Sequence, residues 1–146
     1  SAEALEAFLA AGKCPLPVAA DDCHGDLPAG DPACDRFGGF EMICARELTY
    51  EAVIEALEAG QAYASTGPLL SQLGCEDGRL LFVCSPAREV RLLSDTRPVD
   101  ARLYDPAGQI TYGGFAIPPD ARWVRLEITD TEGKTAWTRA YLQSEL

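Results

Sequence analysis

The spacing of apolar residues changes abruptly at Gly67-Pro68, and this change constrains the fold of the 146-residue chain more than any other feature. Before it, apolar residues recur at helical spacing, as in residues 50–59. After it, short runs of β-branched, aromatic and leucine residues alternate with turn residues. We therefore expect an α+β fold, with an α/β unit in residues 1–67 and an antiparallel β-sandwich in residues 68–146.

Local signals predict the individual elements of both units. In the first unit we expect helices over residues 3–11 and 50–59 and strands over residues 17–20 and 40–45. Between these strands, residues 25–39 are rich in Gly, Pro and Asp, which predicts a long loop. The second unit is predicted to contain eight strands, at residues 69–73, 80–85, 89–94, 101–104, 109–112, 115–117, 123–129 and 135–142.

Composition narrows the possible partners. The 23 Asp and Glu outnumber the 12 Lys and Arg and give a net charge of -11, which repels nucleic-acid phosphates and anionic lipid headgroups. We therefore expect no nucleic-acid partner and no membrane partner. The six cysteines include no Cys-x-x-Cys pair, so we expect reduced thiols in a cytoplasmic protein rather than a structural zinc site, with disulfides as the alternative.

The segment Asp21-Asp22-Cys23-His24 follows the predicted strand 17–20 and contains the only histidine of the chain. Alternation along a strand would place Asp22 and His24 on the same side, where a carboxylate oxygen and an imidazole nitrogen can bind one divalent cation. We therefore predict a metal-ligand pair. The same triplet is also typical of a loop start with a surface histidine. Two ligands alone are fewer than a protein metal site needs.

The first half of the chain resembles the C-terminal end of the polymerase-and-histidinol-phosphatase (PHP) family. The resemblance rests on a helix ending at Gly12 and on the stretches VAADDCH (18–24), LTYE (48–51), IEALEAG (54–60) and YASTGP (63–68). In that family a distorted (β/α)7 barrel holds two or three divalent metals at the ends of its strands. By resemblance, residues 1–67 are a C-terminal remnant of this α/β barrel, and Asp22 and His24 match its late Asp-x-His ligand pair.

The resemblance implies a metal-dependent phosphoesterase of bacterial origin that uses Zn, Mn or Fe and acts on a phosphorylated small molecule. The family's early His-x-His motif and its intervening ligands are absent from this sequence. We therefore expect a C-terminal fragment that is inactive alone and contains no catalytic residue. It would contribute only one part of the metal site, the Asp22–His24 pair, which we call the metal corner, and this pair alone need not retain a metal ion. The alternative is a non-catalytic β-sandwich binding or interaction module with a vestigial metal corner.

Two further patterns allow both a structural and a functional interpretation. Residues 65–68, Ser-Thr-Gly-Pro, could cradle a phosphate, but they do not precede a helix and so favour a structural turn between the units. Trp123, Trp137 and Tyr141 could form a sugar-binding platform. Their place in alternating strands favours packing in the core instead.

Overall fold

Antiparallel strands dominate the fold, as the alternating sequence pattern predicts. The computed structural model describes residues 2–25, 27–28, 30–31, 33–96 and 101–146, with the side chains of residues 2, 3 and 6 excepted. The helices are α1 (Ala2–Ala10) and α2 (Tyr50–Glu58), followed near the C-terminus by a 3-10 turn (Gln143–Glu145). The strands are β1 (Phe40–Ile43), β2 (Ala62–Ser65), β3 (Leu70–Glu76), β4 (Arg79–Ala87), β5 (Glu89–Ser94), β6 (Ala101–Tyr104), β7 (Ile110–Ala116), β8 (Trp123–Thr129), β9 (Thr135–Thr138) and β10 (Tyr141–Leu142).

The strands form two sheets that enclose one core. The larger sheet has the order β1-β2-β9-β8-β5-β6, with β10 also paired to β8, and the smaller sheet has the order β3-β4-β7. Apolar side chains from the inner faces of both sheets pack together, and the rings of Phe82 and Phe115 stack with their centroids 5.9 Å apart. Burial of each such side chain contributes roughly 1.5–3 kcal/mol. The predicted β-sandwich is confirmed by this arrangement.

The larger sheet also includes the two strands that precede Gly67. Strand β1 pairs with β2, and β2 pairs with β9, where Ala64 lies opposite Trp137. Helix α2 lies between β1 and β2 in the chain. Thr49 is its N-cap, with a side chain that accepts a hydrogen bond from the Ala52 amide, and Gly60 with φ 66° follows its C-terminal end. One sheet therefore crosses the predicted boundary at residue 67, and the division into two domains stays a prediction.

The segment before the metal corner differs from its prediction. Residues 17–20 form no strand, and Val18 is 74% exposed. Pro15 and Pro17 lack the amide hydrogen that a sheet ladder needs, while the Ala19 amide donates to the Glu41 carboxylate (2.7 Å) instead of to another strand. Strands β1 and β2 are antiparallel. The barrel origin of residues 1–67 therefore rests on the resemblance alone.

Candidate metal corner

The segment with Asp22 and His24 is organised by two neighbouring carboxylates. Asp21 accepts hydrogen bonds from the amides of Cys23 (3.3 Å) and Phe37 (2.8 Å), and Asp35 accepts one from the His24 amide (3.0 Å). Residues 21–24 therefore run beside residues 35–37. The hydrogen bond from the His24 amide is the largest cause that lowers the pKa of Asp35 below its usual value.

Within this segment, Asp22 and His24 approach each other. Oδ1 of Asp22 lies 3.8 Å from Nδ1 of His24, and the two side chains are 91% and 78% exposed. Asp22 has a left-handed backbone (φ 53°), and Nδ1 of His24 also contacts the Asp22 carbonyl oxygen. A tight turn, and not strand alternation, therefore brings the predicted pair together.

The spacing of Asp22 and His24 suits two ligands of one cation, but two ligands form only part of a metal site. Two ligands of a tetrahedral zinc ion with bonds of about 2.0 Å lie about 3.3 Å apart, close to the 3.8 Å between these two atoms. Binding at Nδ1 would require the ring to release the Asp22 carbonyl. Within the described ranges, no group of three or more His, Cys, Asp and Glu is placed to hold a metal. The metal role of Asp22 and His24 therefore stays a prediction.

The structure shows two features near the corner that the sequence does not indicate. Asp21 and Asp35 look like ordinary polar loop residues in the sequence, yet they fix the backbone on both sides of the corner. Phe37 has φ 62°, a strained conformation for a side chain of this size, and is 80% exposed. Of the predicted loop 25–39, residues 26, 29 and 32 lie outside the described residues.

The turn at residues 65–68 uses its hydroxyl groups internally. Ser65 is fully buried; its hydroxyl donates to the Pro68 carbonyl (2.7 Å) and accepts from the Gly67 amide (3.0 Å). The hydroxyl of Thr66 donates to the Thr135 carbonyl (3.1 Å) and accepts from the Thr135 amide (2.9 Å). These bonds support a structural turn that ties β2 to β9, and they leave a phosphate no free hydroxyl donor on either residue.

The aromatic residues of the larger sheet divide between core and surface. Trp123 is 5% exposed and packs with Leu9 of α1 and with Ala140, so it belongs to a second core on the outer face of this sheet. Trp137 and Tyr141 are partly buried, and the Arg139 guanidinium lies over the Tyr141 ring at 4.3 Å. Core packing is thus confirmed for Trp123, which is too buried to serve in a sugar platform.

Comparisons of the chain with models of known families, with curated proteins and with solved structures give no match. In the part of the chain that the structure describes, no helix is long and apolar enough to span a bilayer.

Proposed function

We propose that this chain is the C-terminal part of a metal-dependent phosphoesterase resembling the PHP family, in which Asp22 and His24 form one corner of the metal site. The observation that carries the proposal is the approach of the two side chains to 3.8 Å on an exposed, carboxylate-organised turn. Carboxylate and imidazole are donors that Zn, Mn and Fe ions share. The remaining ligands would come from residues outside this sequence.

Each residue of the corner has a distinct proposed role in the metal site. In such a site a divalent metal polarises a phosphoryl oxygen and lowers the pKa of bound water. Asp22 and His24 would hold one side of the ion, while Asp21 and Asp35 keep the turn in shape. Because a phosphorylated small molecule is anionic and this chain carries a charge of -11, such a substrate would be attracted only where cations are bound. We assign no nucleophile to this chain.

Two exposed apolar side chains that flank the corner in the chain support completion of the site by further polypeptide. Val18 precedes the corner and is 74% exposed, and Phe37, whose amide donates to Asp21, is 80% exposed. Exposed large apolar side chains can mark an interaction site. The coding sequence upstream of Ser1 tests this point, because the proposal requires a His-x-His motif and further acidic and histidine ligands there. An upstream region without histidines would refute it.

Metal binding by the corner can be measured directly, because His24 is the only histidine and its ring resonances are unambiguous. We expect millimolar Mn²⁺ to broaden these resonances, and the Asp22→Asn variant to need at least threefold more Mn²⁺ for the same broadening. Manganese is preferred as the probe because thiolates compete for zinc.

The matched control is Asp77→Asn, since Asp77 is also exposed and also has a positive φ (48°), but lies at the turn between β3 and β4. This variant should leave the response of His24 unchanged. Broadening that is absent in the parent chain, or equally weakened by Asp77→Asn, would refute a specific corner.

A second candidate function, a binding module without catalysis, is favoured by a groove of about 700 Å³ on the smaller sheet. Gly74 and Gly114 lie on either side of Leu81 in one row across β3, β4 and β7, and Tyr112 beside them is 77% exposed. This arrangement suits a neutral ligand that stacks on an aromatic ring, such as a saccharide. Binding to an array of neutral oligosaccharides that Tyr112→Ala abolishes and Tyr104→Ala preserves would support it, and an array without binding would exclude this ligand class.

A further inference from the structure

Two cysteines lie on neighbouring segments of the loop that contains the metal corner. Cys23 stands between Asp22 and His24, and Cys34 directly precedes Asp35. The Asp35 carboxylate accepts a hydrogen bond from the His24 amide (3.0 Å). Asp35 thus holds the segment of Cys23 beside that of Cys34.

Both thiols also contact the backbone of the same short stretch. Sγ of Cys23 lies 3.6 Å from the Gly25 carbonyl oxygen, and Sγ of Cys34 lies 3.9 Å from the Leu27 carbonyl oxygen. From these contacts we propose that Cys23 and Cys34 form a reversible disulfide that closes this loop. In the described residues between Cys23 and Cys34 no strand ladder fixes the backbone, so a shift that joins the two sulfurs would break no sheet hydrogen bond there.

The sheet register keeps Cys75 and Cys84 apart from each other. Cys75 and Cys84 lie on the paired strands β3 and β4, but Cys75 is opposite Leu80, four residues from Cys84. Four residues of strand span about 13 Å, whereas a disulfide joins Cα atoms at most about 7 Å apart. The Cys44 amide bonds the Gln61 carbonyl, and Cys14 packs in the core beside Trp123. These contacts place the other four cysteines on other parts of the fold, whereas Asp35 links the segments of Cys23 and Cys34.

The reaction is a thiol–disulfide exchange with a low-molecular-weight disulfide as oxidant. One thiol of the pair attacks the oxidant and forms a mixed disulfide, and the first small thiol leaves with the proton. The second cysteine then attacks the protein sulfur of the mixed disulfide, and a second small thiol leaves with its proton. Two cysteine sulfurs are oxidised and one small disulfide is reduced to two thiols, so the exchange is reversed by excess reductant.

A consequence for the metal corner rests on the proposed function. Because Cys23 lies between the two proposed ligands, a bond from Cys23 to Cys34 would restrict the backbone that positions Asp22 and His24. Ligands that are held in place before binding lose less conformational entropy when the ion arrives. We therefore expect the oxidised protein to bind Mn²⁺ at least threefold more tightly than the reduced protein.

The disulfide is tested by incubating the chain with glutathione disulfide and mapping its peptides by mass spectrometry. We expect a linked Cys23–Cys34 peptide, a protein mass lower by two hydrogen atoms, and recovery of the starting mass with dithiothreitol. The Cys34→Ser variant should lose the cross-link, while Cys75→Ser, which removes another exposed thiol, should retain it. Only glutathione adducts, or a cross-link that does not join Cys23 to Cys34, would overturn the proposal.

The second arm separates the disulfide from the metal corner. Mn²⁺ titrations of oxidised and reduced protein should differ at least threefold, and Cys34→Ser should bind equally under both conditions. A mapped disulfide with equal Mn²⁺ affinity in both forms would overturn the coupling to the corner. A mapped disulfide with no Mn²⁺ binding in either form would overturn the proposed function while the cross-link stands.

Discussion

The Ser65 hydroxyl offers the sharpest test of how the turn between β2 and β3 is held. In Ser65→Ala the Pro68 carbonyl loses its donor and the Gly67 amide loses its acceptor. Ser65 and Pro68 are both fully buried. Leaving one buried polar group without a partner costs about 1–3 kcal/mol. Gly67 is partly exposed, so water can reach its amide and reduce the second cost. We expect a total loss of about 2–3 kcal/mol in the free energy of unfolding.

Urea denaturation followed by tryptophan fluorescence measures this loss. With a urea dependence of about 1.5 kcal/mol per molar, the expected loss lowers the midpoint by roughly 1.3–2 M without unfolding the protein in buffer. The control is Ser71→Ala on the exposed edge strand β3, where one hydroxyl bond to the Val83 carbonyl (3.1 Å) is replaced by water. This control should change stability by at most about 0.5 kcal/mol.

Equal midpoints for Ser65→Ala and Ser71→Ala would refute the reasoning, because they would show that the turn does not depend on the buried hydroxyl. An unchanged urea dependence in both variants is required for the comparison, since a change would indicate an altered denatured state.

Three further predictions concern the sandwich and the C-terminus. Gly74→Ala should leave the urea midpoint unchanged or slightly raised, because its Cβ meets nothing within 4 Å. Gly114→Ala should cost about 1 kcal/mol, because its Cβ would lie 3.2 Å from the Leu80 carbonyl oxygen and would displace a methyl group of Leu81. The hydrogen bond from Arg139 lowers the pKa of Glu145 below its usual 4.5, so the stability contributed by this pair is present above that value and is lost as pH falls through the folded pKa. Glu145→Gln should therefore cost roughly 0.5–1 kcal/mol at pH 7, after allowance for solvent screening, and less at pH 3 in urea titrations. Burial raises the pKa of Cys84 to about 11, so peptide mapping after native alkylation at pH 8 should find this thiol unmodified until urea unfolds the chain.

The local sequence pattern predicts most strands of the second unit, and where a predicted strand differs from the observed one the cause is local. Strands β5, β6 and β8 have the predicted bounds, because turn residues flank each run of alternating apolar residues. Gly113-Gly114 predicts a break between two strands, yet β7 continues through both residues. A Cβ at Gly113 would lie 2.7 Å from Leu103 and 3.0 Å from Phe82. These glycines make room for side chains of other strands, and a single sequence does not distinguish that role from a turn.

Long-range pairing is the part of the fold that sequence pattern leaves open. Tyr63 lies opposite Thr138, 75 positions away along the chain, so nothing local marks β2 as a neighbour of β9. The structure of the corner is also only partly predictable from the sequence. Residue chemistry is sufficient to single out Asp22 and His24, but their approach depends on a turn at Asp22 and on the distant carboxylate of Asp35.

The position of the corner depends on the edge of the larger sheet. A Cβ at Gly39, which precedes β1, would lie 2.8 Å from the Ala20 carbonyl oxygen, so the backbone before Asp21 packs directly on the start of this strand. One residue earlier, the Ala19 amide donates to Glu41 of β1, and burial raises the pKa of that carboxyl group. Because β1 pairs with β2, and β2 pairs with β9 of the sandwich, displacement of the sheet edge would displace the corner. The larger sheet therefore supports the segment that contains the proposed metal ligands.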